Sequence, residues 1–177
     1  MSGVEPAIVQ RAREGDRDAF AAIVQARWGS LVRLARSVVG DGDAEDAVQD
    51  ALVVAWNQLS KLRDLESCAA WLNRIALRTC LRRARWRWRW LPLEEAPEGS
   101  VESRPEDTID IQRMLLGLAP RQRAVLHLTV IEGMTDREIA DLMSITAASV
   151  RSHRRRARQS LERIHQQQQR VAAGRGS

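Results

Sequence analysis

Arginine is the side chain whose number and spacing carry the most chemistry in this sequence. Lys61 is the only lysine among the 28 basic residues, and the arginines gather in two blocks, 74–90 and 151–158. A guanidinium stays charged at any physiological pH and offers its donors in a planar fork. It therefore meets phosphate oxygens or guanine edges in pairs. Blocks of this kind point to a polyanion more firmly than the net charge of +5 does. Groups for bond chemistry are missing by comparison. There is no Gly-rich phosphate loop, no nucleophile–base set and no metal cluster, and His127, His153 and His165 fall in a core-like helix, the basic helix and the tail. The sequence thus predicts noncovalent recognition, with no catalytic residue, no cofactor and no metal.

The C-terminal block sits on elements that would present it well. Thr135 followed by Glu138 is a capping box, so a helix starts there. Ile139, Ala140, Leu142 and Met143 give it an apolar face, Ser144-Ile145 interrupts the pattern, and Thr146 offers a second N-cap. The longer helix that follows carries Val150, Ala157, Leu161 and Ile164 on its inner side and Arg151, Ser152, His153, Arg154, Arg155, Arg156 and Arg158 on the others. A short helix, a tight turn and a basic second helix make a helix-turn-helix, whose second helix enters the major groove. The plainer alternative is a solvated basic helix closing a helical domain.

An acidic element balances the first arginine block. In GDGDAEDAVQDALVVAWNQLSKL, 40–62, Asp43 or its neighbours cap a helix with an acidic first turn, which suits the positive end of the helix dipole. Ala47, Val48, Ala51, Leu52, Ala55, Trp56 and Leu59 form its apolar stripe, and Glu45, Asp46, Gln49 and Asp50 line the outer face. Asp46 and Asp50 at i, i+4 suggest a metal or acid–base pair, but no histidine or third ligand lies at useful spacing. A solvated face and a docking surface for a basic protein, where complementary charge sets specificity and on-rate, both remain open on chemistry alone.

Residues 61–67 form a polar connector to a long helix whose inward positions are Trp71, Leu72, Ile75, Ala76, Thr79 and Cys80. Arg74, Arg78, Arg82, Arg83, Arg85, Arg87 and Arg89 are strung along the rest. Cys68 and Cys80 lack metal-ligand spacing and read as small core residues. In RARWRWRWL, 84–91, Trp86 and Trp90 share a helical face while Trp88 points elsewhere. Tryptophans among arginines suit stacking on unpaired bases, an interfacial membrane segment, or a contact with another subunit. Upstream, residues 5–14 form a short helix ended by Gly15. Asp16 then caps a helix through Phe20, Ile23, Val24, Trp28, Leu31, Leu34, Ala35 and Val38 to Gly40, with Phe20 and Trp28 in its core.

Strands find little support, since Tyr is absent, Phe occurs once and Val-Ile-Thr runs are few. Residues 92–107, with Pro92, Pro97, Gly99 and Pro105, read as a flexible acidic linker. The predicted fold class is therefore all-α, with two small helical domains: residues 1–91 and 108–165 flank the linker, and a frayed polar tail occupies 166–177. In the second domain Ile109, Ile111, Met114, Leu115 and Leu118 share one helix. Pro120 opens another through Val125, Leu126, Leu128, Val130 and Ile131, stopped by Gly133. With no signal peptide and no apolar run long enough to span, the expected setting is cytoplasmic, without a membrane partner.

Taken together, these stretches resemble one family, the extracytoplasmic-function (ECF) group of bacterial sigma factors. DAEDAVQDALVVAW at 43–56 is similar to its core-polymerase-binding helix, and AAWLNRIALRTCLRR at 69–83 to the helix that reads the minus-ten promoter element. LAPRQRAVLHLTVIEGMTDREIADLMSITAASVRSHRRRARQSL at 118–161 follows its second domain nearly end to end. The resemblance covers about 16–91 and 108–164 and implies a factor that binds core RNA polymerase and promoter DNA, directs initiation at chosen promoters and assists strand opening. It places Glu45, Asp46, Gln49 and Asp50 against the clamp helices of the largest polymerase subunit. It places Lys61, Arg63, Arg74, Arg78, Arg82 and Arg83 on the non-template strand, and Ser149, Arg151, Ser152, Arg155 and Arg156 on the minus-thirty-five element. Trp86, Trp88 and Trp90 would extend the single-strand track or meet a regulator. Arg78 and Arg82 stand where the family often has asparagine and then aspartate or asparagine, which removes amide or carboxylate readout and adds charge. A further implied partner is an anti-sigma or other regulatory protein. Rival readings are an operator-binding repressor or activator, which would bind duplex alone as a dimer, and an RNA- or membrane-active protein built on the arginine-tryptophan stretch.

Overall fold

The computed structural model describes residues 4–90 and 114–175, with side chains described to residue 85 and from 114 to 166. Every regular element among them is helical. The chain divides into two compact units between Ala84 and Arg85. The expected linker, 92–107, and the start of the helix carrying Ile109 and Ile111 lie outside the described residues.

In the first unit α1 (Pro6–Arg13) packs on α2 (Arg17–Val39), and α2 packs on α3 (Asp41–Gln58). A 3-10 turn, Leu59–Lys61, leads to α4 (Cys68–Trp90). The expected cap on α2 is present. The Asp16 carboxylate accepts from the backbone N–H groups of Asp18 and Ala19, both at 3.0 Å. Arg11 closes on its other oxygen through Nε at 2.9 Å and Nη2 at 2.6 Å. The Ala19 N–H first, then Arg11, hold this carboxyl below the usual carboxylate range. Val9, Ile23, Leu31, Val38, Val48, Leu59 and Leu77 supply the largest fully buried side chains of this unit. Leu77 joins the inward positions of α4, beyond those its spacing predicts. Phe20 and Trp56 stack at 5.0 Å between ring centroids with a 57° tilt, but both rings and Trp28 are only half-buried. They flank the core rather than fill it.

The start of α3 also departs from expectation. The helix begins at Asp41, two residues before Asp43, and has no side-chain cap. Its N-cap is Gly40, which is at the same time the C-cap of α2, with φ 89° and ψ 171°. Only glycine occupies that region without strain. The corner lets α2 end and α3 begin on one residue, and Arg36 Nε lies 3.3 Å from Asp41 Oδ1 across it.

In the second unit α5 (Pro120–Val130), α6 (Asp136–Met143) and α7 (Ala147–Arg175) pack on one another. Leu118, Val125, Leu128, Ile139 and Val150 form their core. The apolar end of α5 is not part of it: Val130 is 71% and Ile131 61% exposed, whereas Arg123 and His127 are buried. At helical spacing Ala124, Val125 and Leu128 set the buried face, and this brings Arg123 and His127 inward with them. Arg123 Nη1 donates to the Leu116 carbonyl at 3.4 Å, and His127 Nε2 stands 3.5 Å from Glu132. The last helix continues to Arg175, where a frayed tail was expected from 166. Gln and Ala are sound helix formers, and extending a helix already nucleated needs little. No helix among the described residues is long and apolar enough to cross a membrane.

Two outcomes follow from this core. Gly40→Ala should lower unfolding stability by about 1–3 kcal/mol, the strain of a side chain in that backbone region, measured by urea denaturation. Burial pushes the Cys80 thiol up from 9.0 to about 12, and burial raises Cys68 as well. A raised acid is neutral in the folded state when the unfolded one has already ionised. Its contribution is therefore complete below pH 9 and lost as pH rises toward 12. With no tyrosine and one lysine to titrate there, the Cys80 thiol should lower stability by about 1.4 kcal/mol per pH unit between its unfolded pKa and about 12. Cys80→Ala should flatten that slope in a denaturation series over alkaline pH.

Candidate functional site

The outer face of α3 is acidic in the way its sequence suggests. Ala44, Ala47, Val48, Ala51 and Ala55 turn inward, which leaves Glu45, Asp46, Gln49 and Asp50 exposed in one row. The row is not left to solvent alone. Arg83 reaches across from α4, placing Nη1 2.9 Å from Asp50 and Nη2 3.4 Å from Asp46 and 3.9 Å from Asp43. One guanidinium thus offsets repulsion among three carboxylates. The side chains of Asp46 and Asp50 are 66% and 58% exposed, so solvent screens these pairs and each is modest in energy. The face stays net negative.

The arginines of α4 consequently divide. Arg78 and Arg82 are exposed and Arg74 half-buried, and the spacing of 74, 78 and 82 puts them on one helical face. The Arg74 Nε is buried without a hydrogen-bond partner. Lys61 and Arg63 are exposed on the connector before the helix. There the Asp64 carboxylate accepts from the Glu66 N–H at 3.1 Å, and the Ser67 hydroxyl donates to the Asp64 carbonyl at 2.8 Å. Arg83 departs from this row toward α3. Sequence spacing missed that, because the partner is a different helix 33 residues away. Trp86, Trp88 and Trp90 lie in the helical backbone of α4, and their side chains fall outside the described residues.

In the second unit the helix-turn-helix is built as its sequence requires. Thr135 N–H donates to Glu138 at 2.7 Å while the Thr135 hydroxyl accepts from the Glu138 N–H at 3.3 Å. The Thr135 N–H, then its hydroxyl, keep the Glu138 carboxyl below the usual range. Ser144 ends α6 in the left-handed region, φ 55° and ψ 50°, and Ile145 N–H closes on the Ala140 carbonyl at 3.0 Å, a helix stop of the Schellman type. Thr146 then caps α7 through the Ser149 N–H at 3.1 Å, with the two hydroxyls 2.9 Å apart. Arg151, Arg155 and Arg156 are exposed, and Ser149 and Ser152 half-buried. Desolvation, then Arg121 and Arg156, hold His153 below the usual histidine range, so it stands neutral among the arginines. A pairing missed by sequence reasoning joins Arg154 to Asp136 at 2.6 Å. Its signal was present, since 154 falls on the inner stripe of α7 between Val150 and Ala157.

Known proteins share this arrangement. The sigma-70 region 2 profile matches residues 23–89 and the sigma-70 region 4 profile residues 108–161. The ECF RNA polymerase sigma factor SigM of Mycobacterium tuberculosis is 32% identical over 154 residues, covering 85% of this chain and 79% of SigM. The RNA polymerase sigma factor NccH of Alcaligenes xylosoxydans xylosoxydans is 33% identical over 181 residues, covering 94% and 97%. Among solved structures, CnrH in complex with the cytosolic domain of CnrY gives a TM-score of 0.66 at 26% identity, covering 92% of this chain and 97% of that one. The sigma factor RpoE from Bartonella quintana, in complex with the anti-sigma factor NepR, gives 0.66 at 23% identity over 83% and 96%, a likeness of fold. Relatives at least 32% identical and matched over 79% and 97% of their length, together with the two sigma-70 region matches, place this chain in the sigma-70 family of RNA polymerase sigma factors, in its ECF group.

Proposed function

We propose that this ECF sigma factor binds core RNA polymerase through Glu45, Asp46, Gln49 and Asp50 and reads promoter DNA through two arginine faces. The observation that carries the reading is the separation of charge: an exposed acidic row on α3 and exposed arginine rows on α4 and α7 occupy different helices of one chain. Lys61, Arg63, Arg74, Arg78 and Arg82 form a cationic track for the non-template strand of the minus-ten element. Bases flipped out of the duplex need such a track, because unstacking costs a few kcal/mol each. Trp86, Trp88 and Trp90 would stack on unpaired bases at its end. Arg151, Arg155 and Arg156, with Ser149 and Ser152, would meet the minus-thirty-five element in the major groove.

Arg83 belongs with the docking face in this reading, not with the strand track. The functional division follows residues 1–91 for docking and minus-ten recognition, 92–107 as linker, 108–165 for minus-thirty-five recognition and 166–177 as tail. The factor carries out no bond chemistry and acts in the cytoplasm, where polymerase is. The solved complexes of CnrH with the cytosolic domain of CnrY and of RpoE with the anti-sigma factor NepR support a regulatory protein as a further partner.

Mixing the purified chain with bacterial core RNA polymerase should give co-elution on size exclusion, and D46R/D50R, checked for helical content by circular dichroism, should abolish it. If the wild-type chain never associates and instead binds duplex DNA tightly by itself, the protein is an operator-binding regulator. Arg83 gives a second, independent outcome. On a forked minus-ten DNA, R78A and R82A in holoenzyme should each reduce the salt slope of binding by about 0.7. R83A should leave that slope unchanged while altering core association.

A further inference from the structure

The helix-turn-helix holds an ion-pair arrangement that promoter reading by the outer face of α7 does not require. Arg154 lies four residues after Val150 and three before Ala157, both fully buried. Its side chain therefore leaves α7 along the seam with α6. At that position its side chain is 40% exposed, so it gives up part of its hydration and is placed within reach of a partner on α6. Asp136, the first residue of α6, supplies one: Arg154 Nη1 donates to Oδ1 at 2.6 Å and Nη2 to Oδ2 at 3.3 Å. Two parallel bonds fix the plane of the carboxylate. The same Oδ2 stands 3.9 Å from Nη1 of Arg151. Arg151 lies one turn earlier on α7, with its side chain 60% exposed, among the residues assigned above to base readout.

We infer that Asp136 is a positioning residue for promoter specificity: anchored by Arg154, its carboxylate restrains the Arg151 guanidinium and sets which base edge that side chain reaches. The inference rests on the reading that α7 enters the major groove with Arg151 outward. An exposed arginine without a tether samples many rotamers and pairs with any phosphate in range. A fixed carboxylate at ion-pair distance narrows that set before binding, so less freedom is lost when Arg151 meets its base. It also competes with phosphates for the guanidinium, which weakens contacts on the wrong sequence. Arg154 is in this account a strut, and its pairing with Asp136 keeps it out of the groove.

The test uses the full chain in holoenzyme and two duplexes. One is a promoter enriched from a random library by the wild-type holoenzyme, and the other is the same DNA with its upstream element scrambled. Affinity for both is measured across a salt series. In D136A the preference for the selected duplex should fall about tenfold, the scale of one bidentate base contact. The salt slope on the scrambled duplex should steepen by about 1 as Arg151 turns to a phosphate. Because D136A leaves Arg154 unpaired at the seam and can unfold the unit, D136A/R154M provides the same removal with an apolar strut. It should show the same two changes. Preference and slope at wild-type values in the folded double variant would overturn the inference. Equal loss of affinity for both duplexes with an unchanged slope would overturn it too, since a purely structural clamp acts in that way. R151A separates the two levels of argument. If it leaves preference intact, Arg151 reads no base and the inference falls with it, whereas loss of preference in R151A, R155A and R156A alike would keep α7 as reader; if R151A removes preference while D136A/R154M does not, only the role of Asp136 falls.

Discussion

The pairing of guanidinium with carboxylate at helix seams is the interaction on which the charged faces depend. The arginine-rich helices α4 and α7 bury a narrow stripe and present arginine on much of the rest. At the edges of that stripe the two requirements collide, and there Arg83 and Arg154 each meet carboxylates from a neighbouring helix. The pairs differ in worth. Arg154 is held bidentately by a carboxylate only 23% exposed, while its own side chain is 40% exposed, so solvent screens the pair in part and its geometry matters more than its strength. Arg83 faces largely solvated carboxylates, and its effect is on where charge sits more than on how firmly the helices hold. Remove either and the packing beneath would remain apolar, but the faces above it would carry a different charge pattern.

That pattern matters because partners of opposite sign must be met by one small chain. The net charge of +5 draws the chain toward nucleic acid, yet the α3 row is negative and, in the function proposed above, meets a basic protein surface. Salt screens charges beyond a Debye length of about 8 Å at physiological ionic strength, so a partner in contact senses the local row more than the net figure. Gly40 contributes to this separation. By ending α2 and beginning α3 on one residue, it fixes how α3 leaves α2, and so which side of α3 is buried and which carries Glu45 to Asp50.

Much of this was legible in the sequence wherever a single helix decides the matter. Asp16, Thr135 with Glu138, and Thr146 each act on N–H groups two or three residues away, so the residue types alone locate the helix starts. The acidic row of α3 followed from the alanines beneath it. What escaped involves partners distant in sequence or the phase of a short helix. Arg83 looks like one more arginine of a row until α3 is placed beside it. Val130 and Ile131 look like core, yet the buried face of α5 runs through Ala124, Val125 and Leu128 and ends before them. Apolar character at a helix terminus says little when the helix is only 11 residues long. Gly40 was readable as a stop, but not as a start, because a positive φ at a helix N-cap has no signature beyond glycine itself.

An arginine-rich protein faces a difficulty opposite to weak binding. Arginine is permanently charged, weakly hydrated and geometrically suited to any phosphate, so each exposed copy adds affinity for all nucleic acid alike. Discrimination then has to come from what limits those side chains. Helical placement is one limit, since it spaces Arg74, Arg78 and Arg82 along a single face. A carboxylate within reach is another, and it acts before any DNA is present. The chain keeps 23 acidic residues beside its 28 basic ones. Asp43, Asp46, Asp50 and Asp136 stand where they claim particular guanidinium groups. In such a chain the acidic residues do as much as the arginines to determine what is bound, because they decide which arginines are free to bind it.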